Sequence, residues 1–189
     1  FSAIPGFGVP DSFEPNNALE QVATSALNQE ISATLFPVGD QDFYSVPVAS
    51  GHRGILTVSI DNPPPNLNLS VYLFQDNQEI GHWDRPPGQP FLCQWPIISR
   101  GSFTLKIIDG NRGIGEIGYN HEWNNQASSQ PYRLKTTFED LSDSTEPNNS
   151  AESATVLSLD TEFNGKIFPA GDQDWYSITI PSGKRGKLT

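Results

Sequence analysis

The chain has no methionine, one cysteine, and 11 basic residues against 22 acidic ones in 189 positions. Each shortage narrows what the protein can be. A lone Cys93 excludes an internal disulfide framework, so a secreted fold must draw its stability from core burial or a bound metal. The residue itself reads as a small buried hydrophobe. A formal charge of −11 repels nucleic-acid phosphates and anionic membranes, which removes both as expected partners. No apolar run approaches the length that spans a bilayer, so no membrane insertion is expected. The opening stretch 1–10 has neither a Met nor a basic n-region, and the chain is expected to be a processed or excised piece of something longer. His52, His82 and His121 are scattered, with no Cys/His spacing that suits zinc.

What is present points to strands. Sixteen Gly and 16 Pro punctuate short apolar runs, and 11 Phe, 5 Tyr and 4 Trp can bury a core. Alternation of apolar and polar residues predicts strands at 31–36, 43–48, 54–60, 69–74, 79–83, 91–97, 102–108 and 132–138. Proline-rich stretches such as Asn62–Pro65 and Arg85–Gly88 cannot extend a ladder, because proline lacks the donor. One short helix is predicted at Ala18–Thr24, capped by Asn17 with Glu20 completing a capping box; Asn149 and Glu152 repeat the pattern. The fold class expected is all-β, a jelly-roll-like antiparallel β-sandwich with one short N-terminal helix.

An internal repeat organises the chain. Asp11-Ser12-Phe13-Glu14-Pro15-Asn16-Asn17 returns as Asp143-Ser144-Thr145-Glu146-Pro147-Asn148-Asn149, 132 positions on. Gly39-Asp40-Gln41-Asp42-Phe43-Tyr44-Ser45 returns as Gly171-Asp172-Gln173-Asp174-Trp175-Tyr176-Ser177 at the same offset. Ser50-Gly51-His52-Arg53-Gly54 returns as Ser182-Gly183-Lys184-Arg185-Gly186 without a gap. The domains expected are a tail or linker at 1–10, a complete sandwich at 11–142, and the first third of a second sandwich at 143–189, repeated in tandem. A few strands with one bare apolar face are not expected to be stable alone.

These residues resemble the bacterial pre-peptidase C-terminal (PPC) domain family. The matching motifs are Glu14–Asn17, Gly39–Tyr44, Leu69–Leu73, Gly101-Ser102-Phe103 and Pro131-Tyr132-Arg133-Leu134. They cover nearly all of the first unit and everything present of the second. The resemblance implies a sandwich attached to secreted hydrolases as an accessory rather than the catalytic part. It also implies similarity to the collagen-binding domains of clostridial collagenases, which bind calcium through this N-terminal segment. Carried over by position, the implied metal ligands are Glu14, Asn16, Asn17, Asp40 and Asp42, and in the second copy Glu146, Asn148, Asn149, Asp172 and Asp174. Those collagen binders have a further acidic residue where Ser12 and Ser144 stand here. Asp11 and Asp143, one place further out, are the substitutes available.

The chemistry suits calcium, a hard cation that takes six to eight oxygens from carboxylates, amides, backbone and water. Like charges held close are unfavourable without a counter-ion. A purely structural account competes: Asn17 as a helix cap, Pro15-Asn16 as a turn, and Asp40 as an Asx turn at the start of a strand. From the residues alone both accounts stand; the resemblance favours calcium.

Nothing in the sequence supports catalysis. Gly113–Gly118 matches GxGxxG but lacks a βαβ setting. His121-Glu122-Trp123-Asn124-Asn125 begins like HExxH and lacks the second histidine. No G-x-S-x-G elbow is present. For ligand binding, the long connection 111–130 carries Tyr119, His121 and Trp123. Trp83 and Trp95 flank a proline-rich loop and read either as stacking surfaces or, more simply, as core. The function expected is therefore a non-catalytic, extracellular, calcium-stabilised accessory module, secreted or at the cell surface. It would bind polysaccharide or a matrix protein, or act as a spacer. The alternative is a structural subunit of a fibre, sheath or surface layer, with neighbouring copies joined by strand complementation.

Overall fold

The computed structural model describes residues 10–110, 127–185 and 187. Two sheets, antiparallel except where β1 joins the first, face each other across one core. The first contains β1 (Ala23–Thr24), β3 (Gln41–Val46), β8 (Phe103–Asp109), β5 (Leu69–Gln75) and β6 (Gln78–Asp84), in that spatial order. The second contains β2 (Glu30–Ala33), β9 (Tyr132–Asp140), β4 (Gly54–Asp61) and β7 (Phe91–Ile97). Successive strands from β3 to β9 change sheet at every step except the β5–β6 hairpin, the connectivity that makes the sandwich jelly-roll-like.

The period-two pattern decides which face of each strand is buried. In β4, Leu56, Val58 and Ile60 are buried while Ile55, Thr57 and Ser59 are partly accessible. From the other sheet, Leu69, Val71 and Leu73 of β5 and Phe103, Leu105 and Ile107 of β8 meet them. Each such side chain contributes about 1.5–3 kcal/mol on leaving water, so this inner layer holds the two sheets together. The β5–β6 hairpin turns through Asp76-Asn77, both at positive φ (48° and 65°), the conformation that matches the twist of a two-residue hairpin.

All eight strands expected from alternation are present, that over 91–97 with the bounds expected. The helix is not as expected. In place of a helix over 18–24 there is one 3-10 turn, Leu19–Gln21, whose N-cap is Ala18 with no side-chain cap, followed by β1. Asn17 does not cap because its side chain is engaged elsewhere: its oxygen accepts from the Gln41 amide (3.2 Å) and its nitrogen donates to Glu14 Oε2 (2.8 Å). Residues 23–24 instead pair parallel with Tyr44 and Ser45 of β3. In the second copy the 3-10 turn Ala151–Ser153 is capped by Ser150, with Ser153 closing the box, not by Asn149 and Glu152.

Beyond β9, the chain forms a two-stranded parallel pair, β10 (Thr155–Leu157) with β11 (Tyr176–Ile178). Its register, Thr155 opposite Tyr176, is that of β1 and β3, Ala23 opposite Tyr44, moved by 132 positions. Among the described residues no helix is long and apolar enough to cross a membrane.

Candidate metal centre

The EPNN turn folds back on its own carboxylate. Glu14 Oε2 accepts from the Asn16 amide at 3.1 Å and from Asn17 Nδ2 at 2.8 Å. The carbonyl of Asn16 accepts from the Phe43 amide at 2.8 Å, which docks the turn beside β3. Gly39, at φ 88°, lets the chain turn sharply before that strand. Asp40 then accepts from the Phe36 amide with Oδ2 (2.7 Å) and from the Gln41 amide with Oδ1 (2.9 Å), the Asx geometry of the structural account. Asp42 lies within β3 on its inward face and accepts the Tyr132 hydroxyl through Oδ2. That hydroxyl is also 3.0 Å from the hydroxyl of Tyr44.

These contacts bring Glu14, Asp40 and Asp42 together, with a carboxylate oxygen of each within 4.8 Å of the others. They also leave specific atoms over. Glu14 Oε1, Asn16 Oδ1 and Asp42 Oδ1 are buried with no hydrogen-bond partner, as is Asn16 Nδ2. Buried polar atoms are normally satisfied, because leaving one unpaired costs roughly 1–3 kcal/mol. Three unpaired acceptor oxygens beside a carboxylate cluster are what a hard, oxygen-ligated cation requires. The residues present therefore fit calcium. The electrostatics agree. Burial pushes Asp42 up to about 8, against the pull of the Tyr132 hydroxyl and with the charges of Asp40 and Asp11 adding to the rise. Burial likewise raises Asp40 to about 7, opposed by the Phe36 amide and reinforced by Glu14. A positive ion would reverse both shifts.

The arrangement recurs 132 positions on. Glu146 Oε2 accepts from the Asn148 amide and from Asn149 Nδ2, both at 3.2 Å. Asp172 accepts from the Phe168 and Gln173 amides at 2.9 and 3.0 Å. Glu146, Asp172 and Asp174 gather within the same 4.8 Å, and Glu146 Oε1, Asn148 Oδ1 and Asp174 Oδ1 are again without partners. The copies differ in two respects: Asn148 Nδ2 donates to Thr145 Oγ1 at 3.3 Å where Asn16 Nδ2 has no partner, and the aspartate of the strand is held differently. Where Asp42 is held by Tyr132 of β9, Asp174 Oδ2 accepts the hydroxyl of Tyr176, two residues along the same chain, at 2.8 Å.

Other expected site residues are placed differently. Asp11 uses both carboxylate oxygens on backbone amides, those of Phe13 (2.8 Å) and Thr34 (2.7 Å), and Asp143 does the same with Thr145 (2.8 Å) and Lys166 (2.6 Å). Both brace the turn, and neither is among the three carboxylates gathered in its copy. Asn17 and Asn149 are exposed, each with its side-chain oxygen on a glutamine amide. Trp83 and Trp95 are half-buried against the core and meet edge to face at 5.6 Å, closing the side of the sandwich where β6 and β7 are edge strands. Tyr119, His121 and Trp123 lie outside the described residues. Sequence reasoning did not assign Tyr132 and Tyr44 to the site. The signal available was that a buried tyrosine hydroxyl needs a partner.

No family model and no curated protein matches the chain. Among solved structures it is similar to the pre-peptidase C-terminal domain of a collagenase from Bacillus anthracis, at 16% identity over 65% of this chain and 100% of that one, TM-score 0.45. It is also similar to the CBM51 module from Clostridium perfringens in complex with methyl-galactose, at 9% identity over 61% and 72%, TM-score 0.39. A third is carbohydrate-binding module CBM36 in complex with calcium and xylotriose, at 12% identity over 59% and 91%, TM-score 0.30. Such low identities and scores bear on no site, and the chemistry above rests on this chain's own atoms. The β-sandwich expected from the sequence is the fold that β1 to β9 adopt.

Proposed function

We propose that the chain is a non-catalytic accessory module of a larger extracellular protein, secreted or at the cell surface. It comprises a complete sandwich at 11–142 and the opening of a second at 143–189. Calcium stabilises it at Glu14, Asn16, Asp40 and Asp42, and at Glu146, Asn148, Asp172 and Asp174. The observation that carries this reading is the set of buried, partnerless oxygens of Glu14, Asn16 and Asp42 around one carboxylate cluster. The sandwich then serves as an attachment or spacing element toward polysaccharide or a matrix protein, outside any reaction.

Thermal unfolding in millimolar calcium, against a chelator control, tests it. An ion that binds only the folded state raises stability by RT ln(1 + [L]/Kd), about 2.7 kcal/mol when the ion stands at 100 times Kd. The rise is expected to disappear in Asp42→Ala. An unchanged melting temperature with and without calcium would sink the metal and leave the turn account of EPNN and GDQD.

A second reading, assembly of copies by strand complementation, is favoured by one observation. Ile167, Trp175, Tyr176 and Ile180 are exposed although their counterparts 132 positions earlier lie in or against the core. Light scattering at high concentration decides it: a monomer throughout rules out assembly of this chain alone.

A further inference from the structure

The third motif of the sequence repeat, Ser-Gly-[His/Lys]-Arg-Gly, takes no part in the metal centre. In its first copy it forms a tight turn. Gly51 sits at φ 88°, the His52 amide donates to the Ala49 carbonyl at 3.0 Å, and Arg100 lays its guanidinium 3.7 Å from where a Cβ of Gly51 would stand. The end of β9 and the residues after it run directly across this turn. Gly54 pairs with Asp140, and a Cβ at Gly54 would strike the Glu139 carbonyl at 1.9 Å, so only glycine admits so close a strand. Past the strand, the Leu141 amide donates to the Arg53 carbonyl and the Arg53 amide donates to Ser142 Oγ, both at 2.8 Å. His52 Nδ1 meets Asp140 Oδ2 at 2.6 Å. The Ser142 amide donates to the other oxygen of Asp140 at 2.9 Å, fixing the segment in that shape.

The far side of the segment is held too. Lys166 Nζ donates to the Asp140 carbonyl at 2.9 Å, and the Lys166 amide donates to Asp143 at 2.6 Å. Asp140 is thus held from both sides, its carboxylate by the His52 ring and its carbonyl by Lys166. Arg53, Arg100, Asp143 and Glu146 line one cleft at this point. The contacts are those of a joint, not of a slack linker.

We propose that the Ser-Gly-[His/Lys]-Arg-Gly turn is a docking socket for an extended acidic segment, filled at its first copy by Asp140-Leu141-Ser142 and presented again at Ser182–Arg185. The occupant is defined by its chemistry: a carboxylate against residue 52 or 184, and a hydroxyl two positions on that caps the arginine amide. Over Ser182–Arg185 the second copy makes the same turn. Gly183 is at φ 76°, the Lys184 amide donates to the Pro181 carbonyl at 3.1 Å, and Lys184 and Arg185 are exposed. Lysine at 184, where His52 stands in the first copy, offers a cation to an acidic partner. In a tandem array each socket would seat the segment that leads into the next sandwich, so the repeats would stand at a set spacing.

Two measurements on the full chain test this. Nitroxide labels at Gln94→Cys and Glu162→Cys report the distance across the joint; the buried Cys93, its thiol pushed up to about 11 by desolvation, stays unlabelled. A single narrow distance is expected, broadening in Asp140→Ala/Ser142→Ala. Unchanged width in that variant overturns the joint. Should that variant lose the β-sheet circular dichroism of the parent, Lys166→Ala, which loosens the same joint from the other side, gives the reading instead. For the open socket, a synthetic peptide of residues 138–144 is added at millimolar concentration, the range of intramolecular effective concentrations. Amide shifts at Ser182–Arg185 are expected, weakened about threefold by Lys184→Ala, as suits an exposed ion pair. No shifts, or shifts that persist when the peptide carries alanine for Asp140 and Ser142, overturn the socket at the second copy.

Discussion

The two carboxylate clusters share almost every hydrogen bond and differ in what stands over them. Glu14, Asp40 and Asp42 lie under a closed sandwich, and Tyr132 of the last strand reaches down to Asp42. Glu146, Asp172 and Asp174 stand on a two-stranded pair, with no counterpart of β9 above them among the described residues, and Tyr176 turns its hydroxyl onto its own neighbour. The turn chemistry is therefore local: EPNN and GDQD build the cradle from hydrogen bonds within about thirty residues, with or without the rest of the sheet. What the sandwich adds is desolvation. Tyr44 is 0% exposed and its counterpart Tyr176 is 37% exposed. Removing water strengthens every charge interaction at the first cluster and makes its unpaired oxygens costly in the absence of a cation.

The largest effect that separates the two regions should come from paired core truncations. Leu35 is 1% exposed, and Ile167, at the matching position, is 65% exposed. Leu35→Ala is expected to cost about 2–5 kcal/mol through lost transfer energy and a cavity. Ile167→Ala is expected to stay within about 0.5 kcal/mol. Urea unfolding of both variants decides it. Equal costs would mean that the second face is covered in solution and the comparison fails.

A second contrast lies in pH. Both Asp42 and Asp40 titrate in the fold well above the ordinary 3.8, at about 8 and about 7. Between those values and the unfolded one, the fold holds protons that the unfolded chain has released. Stability of the calcium-free protein must then fall as pH rises from about 4 to about 8 and level off above. Saturating calcium should flatten this slope, since the ion takes the place of the protons. Asp42→Asn should remove much of it without calcium. Melting temperatures across that range, with chelator, give the answer; a flat calcium-free profile would show that the two carboxylates are hydrated in solution.

Tyr132→Phe should have a smaller and more local effect. It strips the donor from Asp42 Oδ2 and the neighbour from the Tyr44 hydroxyl, a loss of about 1–3 kcal/mol for buried groups left unpaired. The calcium-dependent rise in melting temperature should shrink with it, because Asp42 loses the contact that orients it. Tyr176→Phe should scarcely register, its hydroxyl being exposed. Equal responses would break the claim that closure of the sandwich is what distinguishes the sites.

How far these features could be read from sequence follows the range of the interactions behind them. The strands were legible because alternation is local: 54–60 and 91–97 show their buried faces without any knowledge of partners. The cradle residues Glu14, Asn16, Asp40 and Asp42 were singled out through the family resemblance, the residues alone leaving a turn account open. The helix over 18–24 was not, because Asn17 has two uses open to it, and the choice was made by the Gln41 amide, 24 positions away. The two-residue β1 is too short to carry any period. Tyr132 pairs with Asp42 across 90 positions, and only the order of strands in space brings them together. The two amide contacts of Asp11 were likewise not legible, since Thr34, one of the donors, lies 23 positions away.

The smallest expected effect is also the sharpest test of the comparison. Asp174→Ala removes one carboxylate from the half-buried second cluster, and global unfolding should move by less than about 0.5 kcal/mol, as for other positions outside the core. Calorimetric titration with calcium should nevertheless see it. Two binding events are expected in the parent chain, a tighter one at the buried cluster and a weaker one at the half-buried second cluster, where water and salt screen the charges more. Asp174→Ala should delete the weaker event alone, and Asp42→Ala the tighter alone. If Asp174→Ala removed the tighter event instead, burial would be a hindrance to the ion and not its support. The order of the two sites would then be set by access, and the closed sandwich would be the poorer calcium site of the pair.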